Sequence, residues 1–223
     1  MFPRWAKRLF HQATIHDQAY RFMFEKGPPN EYISIDCETT GLNPKVDDII
    51  TVAAVKIVGK RILSSEKFLL TARPDAKMVA EAIKIHRLRA SDVEDAQRLY
   101  NQMPALLQFI GGRPLVGYYI DFDVAMINKY LLPFAGMELP NPLIEVSKIY
   151  YERKYGDAPA GTHVDLSFKN ILADLKLPVL DAHDAFNDAM MTAQMFVALS
   201  DLKKRGVRIP REKDKRPSHL TFG

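Results

Sequence analysis

Apolar residues fall into short dense runs in the first third of the chain and into helical spacing after it. Residues 1–26 place Trp5, Leu9 and Ala13 four apart, with Phe2, Ala6 and Phe10 beside them, which predicts a helical extension. "KGPPN" at 26–30 breaks the chain ahead of a first strand at 32–36. The apolar run 49–58, the turn "GK" at 59–60 and the run 62–70 predict a hairpin. Short helices are expected near 78–85, 91–99 and 103–110, then a short buried strand in "RPLVGY" at 113–118. A helix is expected at 121–132, a fifth strand at Leu143 and Ile144, and a helix near 146–153. Leu166, Ile171, Leu172 and Leu175 mark an amphipathic stretch at 166–175. The longest helical pattern is 183–206, with Gly206 as its stop. Three strands followed by strands alternating with helices predict an α/β fold, a mixed sheet with helices packed on it.

Composition narrows the class. The chain has 223 residues, 47% of them apolar, enough for a real core and against wholesale disorder. Cys37 is the only cysteine, so no intrachain disulfide can form, and a reducing, cytoplasmic setting is expected. No run of eighteen apolar residues is present, so no membrane span is expected. The start lacks a signal-peptide apolar region; its basic, aromatic character also suits a mitochondrial presequence. Net charge is +4 but uneven, with +3 over 1–26, +6 over 203–223 and −5 between them. An acidic body has carboxylates to offer a metal, and basic ends can hold a polyanion. Three regions are expected: an N-terminal helical extension at 1–30, a main domain at 31–202 and a basic tail at 203–223.

Candidate chemistry begins in "ISIDCETTGL" at 33–42. Residues two apart on a strand face the same side, so Asp36 and Glu38 converge while Ile35 and Cys37 turn away. Two carboxylates that close repel, and a dication removes the conflict. Oxygen ligands select Mg²⁺ or Mn²⁺ over zinc. Asp123 follows the apolar "PLVG", and Asp188 lies on the long helical pattern, five residues after His183. Five helical residues leave a net turn of about 140°. His183 can therefore share a site with Asp188 only from a loop ahead of the helix, which "LPVLDAH" permits. The other histidines read as bland: His86 as a helix-end packing residue, His163 as a loop residue and His219 as a tail residue. "TAQMF" at 192–196 reads as core within the helix.

"IDCETTGL", "LVGYYIDFDVAMI" and "AHDAFNDAMMTA" together resemble the three motifs of the DEDD superfamily of exonucleases, and among them the epsilon proofreading subunits of bacterial DNA polymerase III. The resemblance spans 31–200 and includes "KIHRLR" at 84–89 and "DLSFKNILADLKLP" at 165–178. It implies a ribonuclease H-like mixed five-stranded sheet with helices on both faces. It also implies metal-dependent 3′→5′ hydrolysis of nucleic acid to nucleoside 5′-monophosphates, with two divalent cations, Mg²⁺ or Mn²⁺. By the same resemblance Asp36, Glu38, Asp123 and Asp188 are the metal-binding acids and His183 is the general base. A sister subclass has a Tyr four positions before the last acid; Asp184 stands there, so the histidine subclass is implied. Thr39, Thr40 and Leu42 are implied to touch the terminal nucleotide. Tyr118 and Tyr119 replace a frequent His-Asn pair, which bears on substrate positioning rather than on catalysis. A Tyr there can stack on a base or simply close a buried strand. The expected partners are the 3′ end of DNA, with RNA as the alternative substrate, and a DNA polymerase or repair complex. A non-catalytic nucleic-acid-binding or polymerase-binding module is the alternative from another class.

Overall fold

The computed structural model describes residues 4–181 and 184–211. A helix α1 (Arg4–Thr14) and a 3-10 helix (Gln18–Phe24) precede three strands, β1 (Glu31–Thr39), β2 (Ile49–Val58) and β3 (Arg61–Thr71). Three helices follow, α2 (Ala80–His86), α3 (Ala90–Val93) and α4 (Leu99–Ile110). Then come β4 (Leu115–Gly117), α5 (Ile120–Ala135), β5 (Leu143–Glu145), α6 (Val146–Lys154), α7 (Phe168–Leu175) and α8 (Ala185–Lys204).

The five strands form one sheet in the order β3-β2-β1-β4-β5. The β1–β2 and β2–β3 pairs are antiparallel, and β1–β4 and β4–β5 are parallel. The expected mixed sheet is therefore present, with β1 at its centre. Strand alternation sends Ile33, Ile35, Cys37, Val52 and Leu115 into a core with α4 and α5 on one face. Val55, Ile57 and Val116 meet α6, α7 and α8 on the other. Ile15, Met23 and Phe24 are buried in the first core, so the segment after α1 packs with the sheet domain. Ile209 is buried in the second, and its N–H donates to the Arg153 carbonyl at 3.0 Å.

Two elements differ from the expectation, each for a local reason. The helix expected at 91–99 stops at Val93, and α4 starts at Leu99 and absorbs 103–110. Residues 94–98, "EDAQR", offer only Ala96 to a core, so a helix there would have nothing to bury. From Leu99 onward, Met103, Leu106, Leu107 and Ile110 form a buried stripe. Strand β1 runs past Asp36 to Thr39, because β2 continues to pair with it through Glu38 opposite Thr51. The register shifts between Glu38 and Thr39, which ends the regular ladder just past the acids.

Among the described residues, no helix is long and apolar enough to cross a membrane. The "TAQMF" segment is core, with Thr192, Ala193, Met195 and Phe196 all buried.

Candidate active site

Asp36 and Glu38 lie at the carboxyl end of β1, where the strand order diverges toward β2 on one side and β4 on the other. Open α/β sheets form crevices at such places. Both acids share a face with Ser34, which donates to the Ala189 carbonyl of α8 at 2.8 Å. That bond ties α8 to β1 one residue past Asp188. Ala53, Ala185 and Ala189 fill the contact between α8 and the sheet with small side chains, so the helix lies close. A carboxylate oxygen from each of Asp36, Glu38 and Asp188 falls within 4.8 Å of the others.

Asp123 reaches the same edge from the opposite face. It is buried in the first turn of α5, and its Oδ1 accepts from the Cys37 N–H at 3.0 Å. It stands outside the three-oxygen group but close enough to Asp36 to perturb it. Both α5 and α8 carry their acid as the fourth helical residue, so each aims a helix N-terminus at the cluster.

The electrostatics of the ionised acids favour a counter-charge. Two unit charges 4.8 Å apart repel by about 3–4 kcal/mol at an effective dielectric near 20. Three such pairs would consume about 10 kcal/mol, comparable to the whole stability of a domain. A helix dipole returns only about 0.3–1 kcal/mol. Accordingly burial, then Asp123, Glu38 and Asp188, hold the Asp36 carboxyl well above its ordinary range. Burial and the nearby Asp188 and Asp184 push Glu38 up to about 7. Burial pushes Asp123 up to about 8, against the lowering effect of the Cys37 N–H. Hard oxygen donors gathered this closely, and costly to leave ionised, fit divalent cations.

These shifts set a testable pH dependence. The three carboxyls hold protons in the folded metal-free chain at pH values where the unfolded chain, with carboxyl pKa values of about 4, has lost them. The site therefore destabilises the metal-free fold progressively as pH rises from about 4 toward the folded pKa values of about 7 and about 8. Thermal unfolding in chelator is expected to give a lower Tm at pH 8 than at pH 5. Mg²⁺ or Mn²⁺ is expected to raise Tm much more at pH 8. A metal increment equal at both pH values would show that these groups do not bind the ion.

The turn after β1 is built by its own polar groups. Thr39 Oγ1 donates to the Gly41 carbonyl at 2.7 Å. Thr40 Oγ1 donates to Asp47 Oδ1 at 3.2 Å and accepts from the Asp48 N–H at 2.9 Å. Both hydroxyls are thus engaged in the turn, whereas Leu42 is exposed. Gly41 lies tight against a side chain: a Cβ there would sit 2.6 Å from Asp47 Oδ2, so the carboxylate and its bonds to the turn would have to shift. Asp48 braces the surrounding loops. It accepts from Lys129 Nζ, Tyr130 OH and the N–H groups of Asp75 and Ala76, all at 2.7–2.8 Å. Burial alone would raise its pKa, but these donors outweigh burial and lower it. Sequence reasoning missed Asp48, because its partners lie 27 to 82 residues away.

A cleft of about 330 Å³ opens beside Glu38, lined also by Thr51, Leu69, His86, Asp184 and Phe186. His86 ends α2, as expected, and is buried there. Its Nδ1 accepts from the Leu88 N–H at 3.0 Å, which leaves the proton on Nε2. Burial lowers its pKa, and the Thr39 backbone partly offsets this. Its place beside Glu38 had no signal in the sequence. The two tyrosines part company. Tyr118 is half-buried, its OH donating to the Leu166 carbonyl at 3.0 Å, and burial pushes its pKa up to about 12. Tyr119 is exposed. His183 lies outside the described residues; α8 begins after it, with Asp184 capping the Asn187 N–H at 3.0 Å.

Cys37 is buried on the α5 side of β1, away from the faces of Asp36 and Glu38. Burial, then the charge of Asp123, raises its thiol pKa well above the usual value. Cys37→Ser is therefore expected to lower Tm while leaving the rate within about twofold, since it removes packing and touches no substrate. Rapid inactivation of the folded chain by a thiol reagent would contradict this placement.

The family described as Exonuclease (RNase_T) matches residues 33–196. The chain is 25% identical over 178 residues to a PolC-type DNA polymerase III of Thermotoga maritima, covering 78% of this chain and 12% of that protein. It thus spans only a small part of that polymerase. It is 25% identical over 173 residues to the DNA polymerase III subunit epsilon of Aquifex aeolicus, covering 75% and 79%. Among solved structures, Escherichia coli exonuclease I bound to single-stranded DNA superposes with TM-score 0.67 at 15% identity, over 80% of this chain and 42% of that one. Exonuclease X bound to 5′-overhanging duplex DNA gives 0.60 at 21%, over 80% and 95%. The helices and mixed sheet are those of the ribonuclease H-like exonucleases, and with the family match running from the middle of β1 to Phe196 on α8, across all four acids, the chain belongs to the exonuclease family.

Proposed function

We propose that this chain is a metal-dependent 3′→5′ exonuclease that shortens DNA from its 3′ end and releases nucleoside 5′-monophosphates. The observation that carries the proposal is the convergence of Asp36, Glu38 and Asp188 oxygens within 4.8 Å on the exonuclease fold. The likeness to a DNA polymerase III epsilon subunit and to PolC-type polymerases favours DNA as the substrate. It also favours proofreading or repair as the setting, with a polymerase or repair complex as partner in the cytoplasm.

Asp36, Glu38 and Asp188 would hold two divalent cations, with Asp123 completing the set. Ions bound there would supply neutralisation of the anionic phosphodiester and of the leaving oxygen, and would favour ionisation of the attacking water. His183 accepts the proton of that water, which requires the neutral imidazole. The Asn187 N–H bond to Asp184 and the Ser34 bond to Ala189 keep the start of α8, and with it Asp188, against β1. Thr39 and Thr40 shape the turn that presents Leu42 to the terminal nucleotide.

The deciding experiment uses 5′-labelled single-stranded DNA, duplex DNA and RNA side by side, with Mg²⁺, Mn²⁺ or chelator. A ladder descending one nucleotide at a time, on DNA and only with metal, is expected. Release of the label as a mononucleotide would reverse the polarity. Preferential digestion of RNA would move the chain to the ribonuclease reading.

A further inference from the structure

Tyr119 has an unexplained backbone. It sits in the left-handed region, φ 56° and ψ 37°, between β4 and α5. Asn and Gly enter that region readily, and aromatic residues do so only under strain. Neither capping of α5 nor burial of the ring compensates it. Its side chain makes no capping bond to α5; the Ile120 N–H is taken by Glu145 Oε2 at 3.0 Å instead. Nor is the ring buried, since Tyr119 is 64% exposed. Strain kept at a ring that stays exposed and caps nothing is a mark of function.

Its surroundings say what the function is. The Tyr119 ring meets the Tyr118 ring edge-on, centroids 4.6 Å apart at 71°. Tyr118 is itself fixed, by its OH on the Leu166 carbonyl and by a T-shaped contact with Phe168 at 5.0 Å. An exposed ring braced by an anchored ring forms a rigid platform. β4 runs parallel to β1, with Ile33 beside Leu115 and Ser34 beside Val116. The chain leaving β4 therefore emerges at the same sheet edge as Asp36 and Glu38, and Asp123 follows one helical turn later. The platform flanks the acids on the β4 side, opposite the cleft beside Glu38 on the β2 side.

We infer that Tyr119 is a nucleobase-stacking subsite, which takes the face of one unpaired base of the strand being degraded, whatever that base is. Every base offers a π-face, so stacking holds a single strand without reading its sequence. The inference rests on the exonuclease reading and adds a preference for ends whose bases are already unpaired.

The test compares the wild type with Tyr119→Asn and Tyr119→Trp on single-stranded oligonucleotides carrying one abasic residue, walked through the last positions at the 3′ end. Base–aromatic stacking corresponds to roughly 5- to 150-fold in affinity. The wild type is expected to lose about tenfold in kcat/KM when the abasic residue occupies one particular position. Tyr119→Asn is expected to degrade the intact and abasic strands alike, its loss on the intact strand appearing in KM rather than kcat. Tyr119→Trp is expected to keep the discrimination. Because Asn suits the left-handed backbone, Tyr119→Asn is expected to match or exceed the wild-type Tm, which a structural role for the ring would not allow. A wild type indifferent to abasic residues at every position would overturn the subsite, as would a Tyr119→Asn variant that discriminates as the wild type does. A wild type that shortens no oligonucleotide would instead overturn the exonuclease reading itself.

Discussion

Asp36→Asn is expected to abolish turnover while the metal-free fold stays intact or gains stability. Asp36 is surrounded by the other acids; its neighbours Asp123, Glu38, Asp188 and Asp184 all act to raise its pKa, after burial. Removing its charge lowers the repulsion in the cluster, so the metal-free variant unfolds at the same Tm as the wild type or higher at pH 8. The same change removes a proposed metal ligand. Divalent ions contribute several kcal/mol to a transition state of this kind, so a fall of about 10³-fold or more is expected. The assay is nucleotide release at saturating Mg²⁺, paired with unfolding in chelator. A folded Asp36→Asn protein that digests DNA at the wild-type rate would remove the central claim. The paired measurement matters, because loss of activity with loss of fold would say nothing about metal.

His183→Ala is expected to lower the rate by on the order of 10²–10⁴, the usual span for removal of a general base. The acidic limb of the pH–rate profile is expected to disappear with it, since the proposed base must lose its own proton before it can act. Metal binding is expected to persist, seen as an undiminished rise of Tm on adding Mg²⁺ at pH 8. The two variants thus separate the two roles: Asp36→Asn removes the metal response, and His183→Ala keeps it. A His183→Ala protein with the full rate and the same acidic limb would assign proton acceptance to another group.

Most of the site was legible in order along the chain. A D-x-E after an apolar strand places two carboxylates on one face through strand alternation alone, and the Ser34 contact with α8 confirms which face that is. The hairpin was equally plain, because its turn and its two apolar runs are local. The helix expected at 91–99 failed because charge and small residues permit a helix that packing then declines to support.

What the sequence determined by itself is the set of elements and the chemistry each one carries: acids at a strand end, acids at two helix starts and a core pattern that puts the sheet between them. These follow from periodicity, which acts over a few residues. What only the tertiary structure decided is how the acids divide and what holds them. Asp36, Glu38 and Asp188 close to within 4.8 Å, while Asp123, outside that group but the neighbouring acid that raises Asp36 most, is held on the Cys37 N–H. His86 is brought beside Glu38, and Asp48 gathers donors from two separate segments. Tyr118 is half-buried and anchored while Tyr119 is exposed, although the two are adjacent and chemically identical. The reason is physical. Local pattern sets which way a side chain points from its own element, but carboxylate spacing, pKa and exposure depend on where the other elements settle, and that is fixed by the packing of α5 and α8 on opposite faces of one sheet.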